Sequence, residues 1–157
     1  MDRNSEFLRA LEQGRQAASG LLELLQREHQ ALVDDALDDF ITLSEEKRAR
    51  IAELETFDRN RARLLGDAGL SDDEAGMSDF LSRCPSDSAA QHWQAFLELL
   101  YRCQDQNEIN GRMIHARRRQ VEEALAILRG QLGTSELAYD PQGRPTTPAA
   151  SKPIAKA

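Results

Sequence analysis

Apolar residues recur three and four positions apart through the first 65 residues of the chain, with polar residues between them. This spacing places the apolar residues on one face of an α-helix. The segment from Ser5 to Leu65 contains no proline, which would force a helix to end. Its two apolar stripes are Leu8, Leu11, Ala18, Leu22, Leu25, Leu32 and Ala36, then Phe40, Leu43, Ile51, Leu54 and Leu65. The pattern predicts two long helices, at about residues 5–36 and 38–66.

The step between the two stripes leaves two interpretations open. Leu32, Ala36 and Phe40 follow one another at intervals of four, which shifts the stripe out of its seven-residue phase. The same stretch contains the aspartates Asp34, Asp35, Asp38 and Asp39. Aspartate is poor inside a helix and good as a helix cap, so a turn between two helices is one interpretation. A single continuous helix with a local phase shift is the other, because the stretch has no glycine or proline.

A short third helix is predicted after a turn. Gly66 is placed to cap the second helix, and Ser71 with Glu74 resembles a capping box. The pattern predicts a helix at residues 71–82, which Pro85 separates from the next element.

The longest predicted helix covers residues 87–132 and closes at Gly133. Together these elements predict one helical domain over residues 1–133. Beyond it, the tail at 134–157 contains the prolines Pro141, Pro145, Pro148 and Pro153. Such a composition predicts a flexible, Pro-rich tail. The sequence therefore predicts an all-α fold: an antiparallel bundle or coiled coil of three long helices, with a short connecting helix.

The three-four alternation in the longest helix is apolar at both ends and polar in the middle. Its positions are Trp93, Leu97, Leu100, Gln104, Asn107, Gly111, Ile114, Arg118, Val121, Leu125, Leu128 and Leu132. A polar residue on a helix seam fixes register at a cost in stability, and glycine allows close approach of another backbone. Gln104, Asn107 and Gly111 therefore form either a buried polar layer or a surface in direct contact with a partner helix. With the neighbouring Asn110, they are the predicted register residues of this helix.

Beyond Gly111, this helix is predicted to extend past the ends of the helices that could cover it. Helices of about 30 residues span roughly 45 Å, whereas the 87–132 helix spans nearly 70 Å, at about 1.5 Å per residue. We call its apolar residues Ile114, Val121, Leu125, Leu128 and Leu132 the C-terminal strip. Three interpretations of the strip stay open: a site for a partner helix, a dimer interface, or burial by the tail through Leu137 and Tyr139.

Composition and charge limit the class of partner. The net charge of −7 argues against nucleic acid and against an anionic membrane surface, both of which require positive charge. No apolar stretch approaches the roughly 20 residues that cross a membrane, and the first residues do not resemble a signal peptide. We expect a cytoplasmic protein without membrane insertion, whose two cysteines, Cys84 and Cys103, are reduced thiols.

No catalytic or metal-binding pattern is found in the sequence. Di-metal sites in helical bundles use Glu-x-x-His pairs, but Gln26, Ala89 and Arg112 precede the three histidines at that spacing. Phosphate-binding loops and nucleophile motifs are also missing. We expect no catalytic residues, no metal and no cofactor, and we do not predict an enzyme.

Several motifs resemble the FlgN-like chaperones of flagellar export. Leu21-Leu22-Glu23-Leu24-Leu25 and Ile51-Ala52-Glu53-Leu54 are similar to the first half of this family. Asn107, Asn110 and Gly111 resemble its paired-asparagine motif, and the segment from Tyr139 to Arg144 resembles its short C-terminal signature. The resemblance covers roughly residues 5–145.

This resemblance implies a chaperone that keeps hook-associated (junction) proteins unassembled and delivers them to the flagellar type III export gate. By similarity, the C-terminal third of the chain would bind the C-terminal helix of the client, with the C-terminal strip and Leu137 as contacts, and Tyr139 would contact the gate. We expect a monomer or a weak homodimer. The alternative is a structural or regulatory coiled-coil adaptor, dimeric through the same strip.

Overall fold

A computed structural model of the chain describes residues 2–135, 138–139 and 145–146. Its four helices are α1 (Arg3–Val33), α2 (Leu37–Asp67), α3 (Glu74–Ser82) and α4 (Ser88–Ser135). Two short strands, β1 (Ala138–Tyr139) and β2 (Pro145–Thr146), pair antiparallel. The four helices confirm the predicted all-α class, and the two long helices α1 and α2 pack together. The rest of the predicted Pro-rich tail lies outside the described residues.

A turn, and not a continuous helix, joins α1 to α2. Asp34 caps the end of α1, and Asp35 takes a left-handed conformation with φ of 56°. Aspartate tolerates this region better than most residues with a side chain. The amide of Ala36 then donates to the carbonyl of Ala31 over 2.9 Å, which closes the end of the helix. The chain reverses direction within three residues.

The caps of α2 and α3 differ from the predicted ones. The helix α2 continues through Gly66 to Asp67, and the left-handed residue that follows is Gly69, with φ of 72°. The N-cap of α3 is Asp73, whose carboxylate accepts a hydrogen bond from the Gly76 amide over 2.7 Å. The predicted capping box at Ser71 is therefore wrong, because Ser71 donates to Asp73 instead of capping the helix.

Two compact units divide the chain, and the boundary lies inside α4: Met1–Gly111 and Arg112–Ala157. In the first unit, α1 and α2 are antiparallel, since Gly14 lies against Phe57 and Gly20 lies against Arg50. The first half of α4 runs parallel to α1, because Trp93 contacts Phe7 while Cys103 bonds to Ala18. The helix α1 thus packs against α2 and against the first half of α4.

Aromatic rings from all four helices form the core of the first unit. The rings of Phe7 and Phe80 meet edge to face with centroids 5.1 Å apart, and those of Phe57 and Phe96 with centroids 4.9 Å apart. Trp93 contacts Phe7, Phe57 and Phe96. Such pairs add to the burial of apolar area. The core fixes the first half of α4 against α1 and α2.

Among the described residues, no helix is long and apolar enough to cross a membrane.

Candidate partner-binding site

A buried polar layer joins α1, α2 and α4 near the end of the first unit. Asn110 of α4 and Glu28 of α1 are each only 1% exposed. The Asn110 amide donates to the Leu25 carbonyl over 2.9 Å and to the Glu28 carboxylate over 3.0 Å. Lys47 of α2 lies 3.1 Å from the same carboxylate, so the buried negative charge has a cation and amide donors around it.

Three further side chains complete this polar layer. Ser44 donates to Glu28 over 3.3 Å, and Gln106 donates to the Asn110 carbonyl oxygen over 3.1 Å. The Nδ1 atom of His29 lies 3.2 Å from the same oxygen. In the described part of the chain, no buried side-chain nitrogen or oxygen lacks a hydrogen-bond partner. The layer is therefore able to fix the register of α4 against the other two helices.

The buried seam of α4 differs from the predicted one. Phe96, Cys103 and Asn110 are buried at intervals of seven residues, and burial raises the pKa of the Cys103 thiol. Of the predicted register residues, Asn110 is buried, whereas Gln104, Asn107 and Gly111 are exposed. Gln104, Asn107 and Gly111 therefore form no buried layer in the described chain. Their contact with a partner helix stays a prediction.

Beyond Asn110, Met113 is half-buried, and the other large apolar side chains of α4 are exposed as far as the structure describes them. The exposed fractions are 42% for Ile114, 59% for Val121, 45% for Leu125 and 53% for Leu128. At about 100° of rotation per residue, Ile114, Val121, Leu125 and Leu128 project within about 60° of one another on the helix. The second unit thus presents one exposed apolar helix face.

The remaining predicted contacts lie at the edge of the described chain. Leu132 lies in α4 and Tyr139 in β1, but their side chains are outside the described residues, as is Leu137 entirely. Sequence reasoning omitted Ile127 from the site, and its side chain is 62% exposed. Ile127 lies about 100° away from Leu128 around the helix, off the C-terminal strip.

The strip lies in a basic part of an acidic protein. Residues 112–130 contain five arginines and two glutamates, a net charge of +3, whereas the whole chain has −7. Within the described residues, no group of His, Cys, Asp and Glu side chains comes together that could hold a metal ion. An exposed apolar helix face bordered by arginines can bind an amphipathic helix that carries acidic residues.

Comparison with known proteins identifies the family. The family described as FlgN protein matches residues 1–147, which is nearly the whole chain. The chain belongs to the FlgN family. FlgN proteins are flagellar export chaperones and not an enzyme family, so the resemblance found in the sequence is confirmed. The match includes Asn110 and the C-terminal strip of this FlgN protein. Neither a curated protein nor a solved structure gave a match.

Proposed function

We propose that this FlgN protein is a cytoplasmic chaperone of flagellar type III export that binds the C-terminal helices of hook-associated proteins. It would prevent their premature assembly and deliver them to the export gate. The observation that carries the proposal is the exposed C-terminal strip, which has no covering helix among the described residues. Membership of the FlgN family supports the class of client.

The length of α4 supports the assignment of the strip. Asn110 bonds to Leu25 and Glu28, which leaves only five residues of α1 after Glu28. In contrast, α4 continues for 25 residues after Asn110. An apolar helix face that extends beyond the neighbouring helices is a surface to which another helix can bind. The terminal helix of the client lacks its own partner before assembly, so its apolar face also needs to be covered.

The charge of residues 112–130 indicates the chemistry of the client helix. Residues 112–130 contain five arginines and two glutamates. At about 100° per residue, Arg117, Arg118 and Arg129 project beside the strip, while Arg112 and Arg119 project from the opposite side. A client helix with an apolar stripe and flanking Asp or Glu residues would bind faster and more selectively than a neutral one, and salt would weaken the complex.

Co-expression with C-terminal helices of hook-associated proteins tests the site. The double variant Val121→Asp with Leu125→Asp should abolish the co-purified complex, because it places two carboxylates in the proposed interface. Ile127→Asp is the control, since it adds one carboxylate to the same helix off the strip and should keep the complex. Circular dichroism should show that all variants remain helical. Loss of the complex in the control alone would contradict the site.

The role of Tyr139 needs a separate experiment. By similarity to the family, Tyr139→Ala should keep the client complex and lose binding to the export gate component, so that client secretion falls. A variant that loses client binding as well would contradict a role in gate contact. Light scattering at several concentrations tests the adaptor alternative, which requires a dimer that Val121→Asp disrupts.

A further inference from the structure

A second apolar surface lies in the first unit, away from the C-terminal strip. It is a groove of about 660 Å³ between α2, α3 and α4. Its apolar lining includes Leu54, Met77, Leu81, Trp93, Leu97 and Leu100. Tyr101, also in the lining, is 62% exposed. A volume of several hundred Å³ can accept a few large side chains of a bound peptide.

Carboxylates dominate the rim of this groove. Asp58, Asp73 and Glu74 line it, and Arg61 is the cation among the lining residues. Arg61 is already engaged, because its guanidinium bonds to Asp58 over 2.8 Å and to Asp72 over 2.7 Å. It also lies 6.0 Å from the centre of the Trp93 ring. The groove therefore presents a net negative charge, and we call it the acidic groove.

The acidic rim is a fixed part of the structure. The Asp73 carboxylate accepts hydrogen bonds from the Gly76 amide and the Ser71 hydroxyl, both over 2.7 Å. The hydrogen bond from the Gly76 amide holds the pKa of Asp73 below its ordinary value. The rim carboxylate thus stays ionised at neutral pH, beside an apolar floor that contains an aromatic ring.

We propose that the acidic groove docks an amphipathic helix of a partner protein, with leucine-like side chains on the apolar floor and Lys or Arg residues against the rim. Charge complementarity argues for this partner. Residues 112–130 carry +3, so the C-terminal strip favours an acidic helix, while the acidic groove favours a basic one. One partner helix cannot satisfy both surfaces equally, and the groove therefore takes a different helix from the acidic one proposed for the C-terminal strip.

The fluorescence of Trp93 can report binding of a helix in this groove. Trp93 lines the groove and is the single tryptophan of the chain, so its emission reports occupancy at this site alone. The probes are two tryptophan-free synthetic helices of about 18 residues, or five turns. Both have the same leucine stripe, and one has lysine where the other has glutamate. The lysine helix should shift Trp93 emission saturably and bind more weakly as salt rises, while the glutamate helix should leave Trp93 emission unchanged.

Two charge-reversal variants of the full chain test whether the lysine helix binds in the acidic groove. Glu74→Lys on the rim should weaken binding of the lysine helix about fivefold, the size expected for one exposed charge pair. Glu45→Lys makes the same charge change on an exposed α2 position outside the groove and should change binding little. Equal weakening by both variants, or equal shifts of Trp93 emission by the lysine and glutamate helices, would overturn the proposal.

Further measurements separate the groove from the C-terminal strip and from self-association. Val121→Asp with Leu125→Asp should leave the Trp93 response intact, and Glu74→Lys should leave the client complex intact. A Trp93 shift that depends on protein concentration without any peptide would show that a second copy occupies the groove, which would overturn a partner-protein assignment. Absence of a saturable shift with the lysine helix would also overturn it.

Discussion

The Asn110 side-chain amide lies 3.0 Å from the carboxylate of Glu28 and donates a hydrogen bond to it, deep between α1 and α4. Both side chains are 1% exposed. A buried carboxylate without hydrogen-bond donors is strongly unfavourable. The burial of Glu28 therefore depends on the Asn110 amide, and that amide in turn needs an acceptor. This pair sets the position at which α4 stops contributing to the core.

Removal of the Asn110 amide should destabilise the first unit. Asn110→Ala leaves Glu28 with fewer donors, which should lower the free energy of unfolding by about 2–3 kcal/mol. Asn110→Asp should cost more, because it places a second carboxylate beside Glu28. Urea unfolding followed by circular dichroism measures the change. The exposed neighbour Asn107 is the control, and Asn107→Ala should stay within about 0.5 kcal/mol of the parent protein.

Two glycines of the chain should respond to alanine in opposite directions. A Cβ at Gly14 would lie 2.9 Å from the Phe57 ring, which Phe96 holds from the other side. Gly14→Ala should therefore destabilise the protein by about 1–2 kcal/mol, net of its gain in helix propensity. No atom lies within 4 Å of a Cβ at Gly111, so Gly111→Ala should stabilise α4 by about 1 kcal/mol. Melting temperatures that move in the same direction would contradict this account.

The two thiols should be protected to different degrees. Cys103 is buried and donates to the Ala18 carbonyl over 3.4 Å, while Cys84 is half-buried. Burial raises the pKa of both thiols, which reduces the thiolate fraction at neutral pH. In the native protein, a disulfide reagent should label Cys84 slowly and Cys103 only after unfolding. Cys84→Ser should thus remove the native-state reaction, and continued labelling of that variant would contradict the burial of Cys103.

The N-cap of α3 should make its stability depend on pH. The Gly76 amide lowers the pKa of Asp73 in the folded state relative to the unfolded chain. The cap therefore stabilises α3 above the ordinary pKa of 3.8 and loses this contribution as pH falls through the lower folded value. Asp73→Asn keeps an acceptor without a charge, so its melting temperature should fall less between pH 5 and about pH 2 than that of the parent protein. Identical pH profiles would contradict the assignment.

The helices were predictable, whereas the seam of α4 was not. Periodicity, with glycine, proline and capping residues, predicted the helical segments, because these signals are local. Between Trp93 and Tyr101, however, apolar residues occupy seven of the nine positions, so more than one stripe fits. The choice that buries Asn110 depends on its partners Leu25 and Glu28, which lie 85 and 82 residues away. No pattern along α4 contains that information.

The turn and the strand pair failed to be predicted for different reasons. The sequence left the turn between α1 and α2 open, because Asp35 adopts its positive φ without the glycine that usually marks such a turn. The strands β1 and β2 have two residues each, too few to show an alternating pattern. The C-terminal strip was predictable in part, since it depends only on helix length and apolar spacing.

The exposed second half of α4 has a consequence for how a client could be captured. Backbone hydrogen bonds in residues 112–130 have little buried apolar area beside them, so local helix propensity must hold them. Amide hydrogens there should exchange with solvent far faster than those near Asn110. Client binding would then slow that exchange, since each buried contact also stabilises the helix that makes it. Client binding would thereby be coupled to helix formation in residues 112–130. The client could then dissociate rapidly as this segment unfolds, while the core of the first unit stays folded.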